Sequence, residues 1–175
     1  MSRRRALFAA AFGVPLALAG CGWTPLYADP ETGPADAALR SVRVAPMSER
    51  FGQKLELALR DSLNPGGPPA PQRYVLNTTL TITRQDLGVS TQGQGTRGRL
   101  DATANYVLGD IVSGAQVFRG SSHAAESFDI LANQYANVVA EDDARTRAVE
   151  ELRRDILAQL TLFMQRRAAA APARP

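Results

Sequence analysis

One apolar stripe near the C-terminus constrains this chain more than any other feature. Between Glu141 and Arg167, the residues Ala144, Ala148, Val149, Leu152, Ile156, Leu160 and Phe163 recur at helical spacing, while Arg145, Glu150, Arg153 and Arg154 fall outside the stripe. At ~3.6 residues per turn this is a helix of about seven turns. So one-sided a helix needs a broad apolar surface to lie on. Period-two runs supply it. From Arg73 to Asp86, Tyr74, Leu76, Leu80 and Ile82 share one parity and Asn77, Thr79, Thr81 and Thr83 the other. Leu100, Ala102, Ala104, Tyr106 and Leu108 repeat the pattern against Asp101, Thr103 and Asn105. Ala115 to Phe128 reads as a further strand, with Phe118 and Phe128 in register and a soft middle at Gly120, Ser121 and Ser122. The links between these runs, Gly88 to Gly98 and Gly109 to Gly114, make an antiparallel meander.

Upstream, Val42 and Val44 alternate with Ser41, Arg43 and Ala45 in a short strand that ends at Pro46. A helix of about four turns follows, with Ser48 as its N-cap and Phe51, Leu55, Ala58, Leu59 and Leu63 on one stripe. Asn64-Pro65-Gly66-Gly67-Pro68-Pro69 stops it. The order strand, helix, three strands, helix predicts an α+β domain over residues 39–167, with two helices packed on one face of a four-stranded, largely antiparallel sheet. Residues 168–175 form an Ala/Pro/Arg tail with no means of burying anything. A chain of 175 residues, 45% hydrophobic and 21% charged, fits one such domain and excludes a large multi-domain enzyme.

Residues 1–20 read as an export signal: Arg3, Arg4 and Arg5 precede an apolar stretch from Ala6 to Ala19 that ends in small residues. At ~1.5 Å per residue the stretch is about 21 Å long as a helix, short of the ~30 Å hydrocarbon core, so it is not a permanent span. The formal charge of +3 comes from these arginines. Without them no basic footprint for nucleic acid remains. Residues 21–38, with Pro25, Pro30, Gly33 and Pro34, read as a tether in which Trp23 and Tyr27 stand out; they suit headgroup level, the domain or a partner equally well. Cys21 is the only cysteine, so it has neither a disulfide partner nor a companion thiol for a metal.

Few residues suggest chemistry. His123 is the only histidine, which excludes a clustered-histidine metal site, and no nucleophile elbow accompanies Ser121 and Ser122. Glu141, Asp142 and Asp143 stand where the long helix is expected to begin, and carboxylates there complement its dipole. Gly93 to Gly98 lacks the ending of a phosphate loop. No catalytic, metal or cofactor site is expected. Two features remain. The face opposite the predicted core is hydroxyl and amide with almost no charge, which suits either a wet, protein-lined cavity or open water. Arg97 and Arg99, with Arg84 and Arg119 on neighbouring strands, are candidates for a cationic edge that binds phosphorylated lipid headgroups.

Leu18-Ala19-Gly20-Cys21 resembles the bacterial lipobox, which implies cleavage before Cys21 and acylation of that residue. Several acyl chains hold a protein on a membrane essentially permanently, since each buried methylene contributes ~0.8 kcal/mol. By the same resemblance, Gly22 in place of an aspartate implies sorting to the outer membrane. With Cys21-Gly22-Trp23-Thr24-Pro25-Leu26-Tyr27, the element order, Ala140 to Arg145, Asp155-Ile156 and Leu160, the chain is similar to the lipopolysaccharide-assembly lipoprotein family LptE. The resemblance implies a lipoprotein on the periplasmic side of the outer membrane that plugs and helps assemble an LptD-type β-barrel and interacts with lipopolysaccharide. The alternative is an auxiliary lipoprotein of a periplasmic lipid-transport complex.

Overall fold

The computed structural model describes residues 34–69, 71–89 and 95–170. Cys21, Trp23 and Tyr27, with the signal and most of the tether, lie outside the described residues. The elements are α1 (Pro34–Arg40), β1 (Val42–Val44), α2 (Arg50–Leu63), β2 (Tyr74–Val89), β3 (Gly95–Asp110), β4 (Gln116–Asp129) and α3 (Gln134–Ala170). The sheet runs β1-β2-β3-β4. β1 pairs parallel with the start of β2, and the other pairs are antiparallel, with a register shift between Leu108 and Gly109. This is the α+β arrangement expected. A third, short helix joins the two foreseen.

The period-two pattern decides which face meets the helices. Leu76, Leu100, Ala102, Ala104 and Leu108 are wholly buried, and so are Ala144, Ala148, Leu152, Ile156 and Leu160 of α3. Alanines on both surfaces let the helix backbone come close to the sheet, and each larger side chain that is fully buried contributes roughly 1.5–3 kcal/mol. Met164 extends the stripe inward beyond Leu160, while Phe163 is only partly buried and stacks on Phe118 with ring centroids 4.7 Å apart. The soft middle of β4 has a steric cause. A Cβ on Gly120 would stand 2.5 Å from the Tyr106 ring, so only glycine leaves the ring its place.

Several expected boundaries move. Residues 34–38, read as tether, begin α1, whose Ala35, Ala38 and Leu39 pack on the core. Ser48 is not the cap of α2: Glu49 holds that position at a φ of 68° with no side-chain cap bond, and Glu56 accepts from the Met47 amide instead. Asn64 ends α2 as expected and also ties it to β1, its Nδ2 donating to the Val42 carbonyl at 2.8 Å. α3 starts at Gln134 rather than Glu141, because Asn133 Oδ1 accepts from the Tyr135 and Ala136 amides at 2.9 and 3.3 Å. Residues 168–170, read as tail, are still helical. Glu141, Asp142 and Asp143 therefore lie well inside α3, where Glu141 pairs with Arg84 and Arg145, Asp142 with Arg50 and Lys54, and Asp143 with Arg147. Glu141 and Asp142 fasten α3 to β2 and α2, and Asp143 pairs within α3; none of them caps a helix.

Candidate binding face of the sheet

All three helices of the described residues lie on the core side, so the odd-numbered residues of β2, β3 and β4 form a face that none of them covers. Strand register sets them in rows: Asn77, Val107 and Arg119; Thr79, Asn105 and Ser121; Thr81, Thr103 and His123; Thr83, Asp101 and Ala125. Beyond these come Gln85, Arg99 and Ser127, then Leu87, Arg97 and Asp129. The upper rows are neutral apart from Arg119. The lower rows carry charges that neutralise one another: Arg99 reaches Asp101 at 2.9 Å and Arg97 reaches Asp129 at 3.5 Å. His123 shares Asp101 at 3.6 Å and meets Thr103 Oγ1 at 3.4 Å.

The four candidate arginines do not form one edge. Arg97 and Arg99 share the uncovered face near the β2–β3 hairpin, whereas Arg119 stands about 33 Å from Arg97 and about 26 Å from Arg99 along the strands at ~3.3 Å per residue. Arg84 has the opposite parity. It lies over the Phe128 ring at 5.3 Å and bonds Asp86 at 2.8 Å and Glu141 at 2.5 Å. Its pKa is raised above the ordinary guanidinium value, first by the hydrogen bond to Asp86 and then by the Glu141 and Asp86 charges. The hairpin end is also apolar. Leu87, Leu131, Tyr135, Val138 and Val139 are exposed there, and Leu87, Thr96, Arg97 and Asp129 line a hollow of about 530 Å³.

His123 and Ser122 occupy opposite faces. Ser122 is 2% exposed and donates to Asp155 Oδ2 at 2.5 Å, away from His123; Ser121 shares the face of His123, but no hydrogen bond joins the two among the described residues. Sequence reasoning missed the network to which Ser122 belongs. Tyr106 donates to Gln159 Oε1 at 2.5 Å, and Gln159 Nε2 donates to Asp155 Oδ2 at 2.9 Å and to the Ser121 carbonyl at 3.3 Å. Burial, ahead of the Asp155 charge, pushes the Tyr106 phenol up to about 12. A serine on the inward parity of β4 and polar residues four apart beside the α3 stripe were the available signal. Among the described residues no cluster of metal-ligating side chains occurs, and no helix is long and apolar enough to cross a membrane.

The family model for LptE, lipopolysaccharide assembly, matches residues 39–162. No curated protein matches the chain. Among the solved structures to which the chain is similar are two lipoproteins. One is described as a lipoprotein of Caulobacter crescentus CB15, with 24% identity and a TM-score of 0.60 over 76% of this chain and 98% of that one. The other is a minor lipoprotein of Acinetobacter baumannii, with 21% identity and a TM-score of 0.53 over 69% of this chain and 88% of that one. At these identities the likeness is one of fold.

Proposed function

As the chain belongs to the LptE lipopolysaccharide-assembly family, we propose that it works inside an outer-membrane β-barrel of the LptD type. Acylated Cys21 holds it to the periplasmic side of the outer membrane, while the folded domain plugs the lumen and helps the barrel assemble. The uncovered sheet face carries this reading. A barrel lumen is polar and wet, and a surface of hydroxyls and amides hydrogen-bonds to such a wall while bringing only one unpaired charge among the described residues, Arg119 at its upper corner, towards it. The hairpin end supports a part in lipopolysaccharide passage, because the exposed apolar side chains there match the acyl chains of an amphiphile. The domain supplies surfaces rather than chemistry.

A photocrosslinking residue at Thr103, in the middle of the face, tests this in cells. The expected product is a covalent adduct with one large barrel protein. Adducts with inner-membrane transporter subunits, or none above background, would instead favour an auxiliary lipoprotein of a lipid-transport complex.

A further inference from the structure

The uncovered face is not uniform. Its lower rows bond among themselves: Thr83 donates to the Asp101 carbonyl at 3.3 Å, Thr103 meets His123, and Arg99 meets Asp101. The upper corner does not. Asn77, Thr79, Asn105, Val107, Arg119 and Ser121 line a shallow hollow of about 400 Å³. Among the described residues, the side chains of Asn77, Thr79, Asn105 and Ser121 have no hydrogen-bond partner. Among the same described residues Arg119 has no carboxylate partner either, its guanidinium meeting only the neutral Gln116 Oε1 at 3.2 Å. The other two arginines of the face are both neutralised.

We propose that this hollow binds an anionic saccharide, a sugar ring bearing a phosphate or a carboxylate. Sugar hydroxyls both donate and accept, and so do the two carboxamides and two hydroxyls gathered here. The planar guanidinium offers a fork of donors that fits phosphate or carboxylate oxygens, with no neighbouring acid to compete for it. Val107, between Asn77 and Arg119 in the same row, gives the C–H face of a ring an apolar floor. The volume lies within the ~300–1,000 Å³ common for small-ligand sites. A peptide fits less well, since extended peptides pair with a sheet through its edge and this hollow lies on the face, centred on the middle strand. The inference rests on the reading that the face borders a water-filled space, where a glycan has access.

Calorimetric titration of the full chain in detergent tests it, with glucose 6-phosphate, glucose, inorganic phosphate and lipopolysaccharide micelles as probes. Glucose 6-phosphate should bind more tightly than glucose or phosphate. Arg119→Gln should weaken it about tenfold or more, the loss expected for a charge-assisted bond. Asn105→Ala should also weaken it, whereas Arg154→Gln, on the far side of α3, should not; circular dichroism checks that each variant is folded. If Arg119→Gln weakens micelle binding too, the saccharide is a lipid headgroup; if micelle binding is unchanged, it is a free anionic sugar. No binding of glucose 6-phosphate, equal binding by Arg119→Gln, or phosphate binding as tightly as the sugar phosphate would overturn the site. Such a failure leaves the barrel reading untouched, because the Thr103 crosslink tests that separately.

Discussion

At the scale of single residues, apolar packing brings α3 to the sheet but does not by itself fix where along the sheet it rests. The bonds joining Tyr106, Gln159, Asp155 and Ser122 are directional, and sliding the helix by one turn would strand them in the core. Their energetic trace is a pH dependence. An unfolded tyrosine ionises near pH ~10, whereas Tyr106 in the fold does so at about 12. Between those values the folded chain keeps a proton that the unfolded chain has lost. Stability from this group is therefore fully present below about pH 10 and falls as pH rises towards 12, by roughly 2–3 kcal/mol in all. Urea denaturation across that range should show the fall in the parent and not in Tyr106→Phe. An equal fall in both would assign it to other groups. The inward parity of Ser122 was legible in the sequence; its partner was not, because pairing across layers depends on how the helix lies.

At the scale of elements, the alternation from Tyr74 to Ile82 and from Leu100 to Leu108 located β2 and β3, since every second side chain enters one core. The strands run further than the alternation does. From Gln85 to Val89 and from Gly95 to Gly98 they are held by backbone pairing, with glycines that leave no side-chain signal. Gly98 also lies under the Phe128 ring, where a Cβ would stand 2.3 Å from it. The early start of α3 was legible in principle, because Asn133 is a good N-cap residue, but the carboxylates at Glu141 to Asp143 gave the stronger signal and served ion pairs instead, those of Glu141 and Asp142 reaching other elements. Asn133→Ala should cost about 1 kcal/mol, with faster amide exchange confined to the first turns of α3. Exchange unchanged at Tyr135 and Ala136 would show that the cap does not hold them.

At the scale of the whole molecule, one period-two pattern serves two ends. Its apolar parity joins sheet and helices, and its polar parity leaves uncovered a face that is neutral apart from Arg119. The sequence showed that face and the helices behind it. It could not show which arginines are spent on neighbouring acids, since Arg84, Arg97 and Arg99 differ from Arg119 only in what lies beside them in three dimensions. The central claim is that this chain fills a barrel. Affinity purification of a C-terminally tagged chain from detergent-extracted outer membranes, with mass spectrometry of what accompanies it, tests that most directly. One large β-barrel protein in stoichiometric amount, surviving a high-salt wash, is expected. Inner-membrane transporter subunits in its place, or no companion at all, would contradict it.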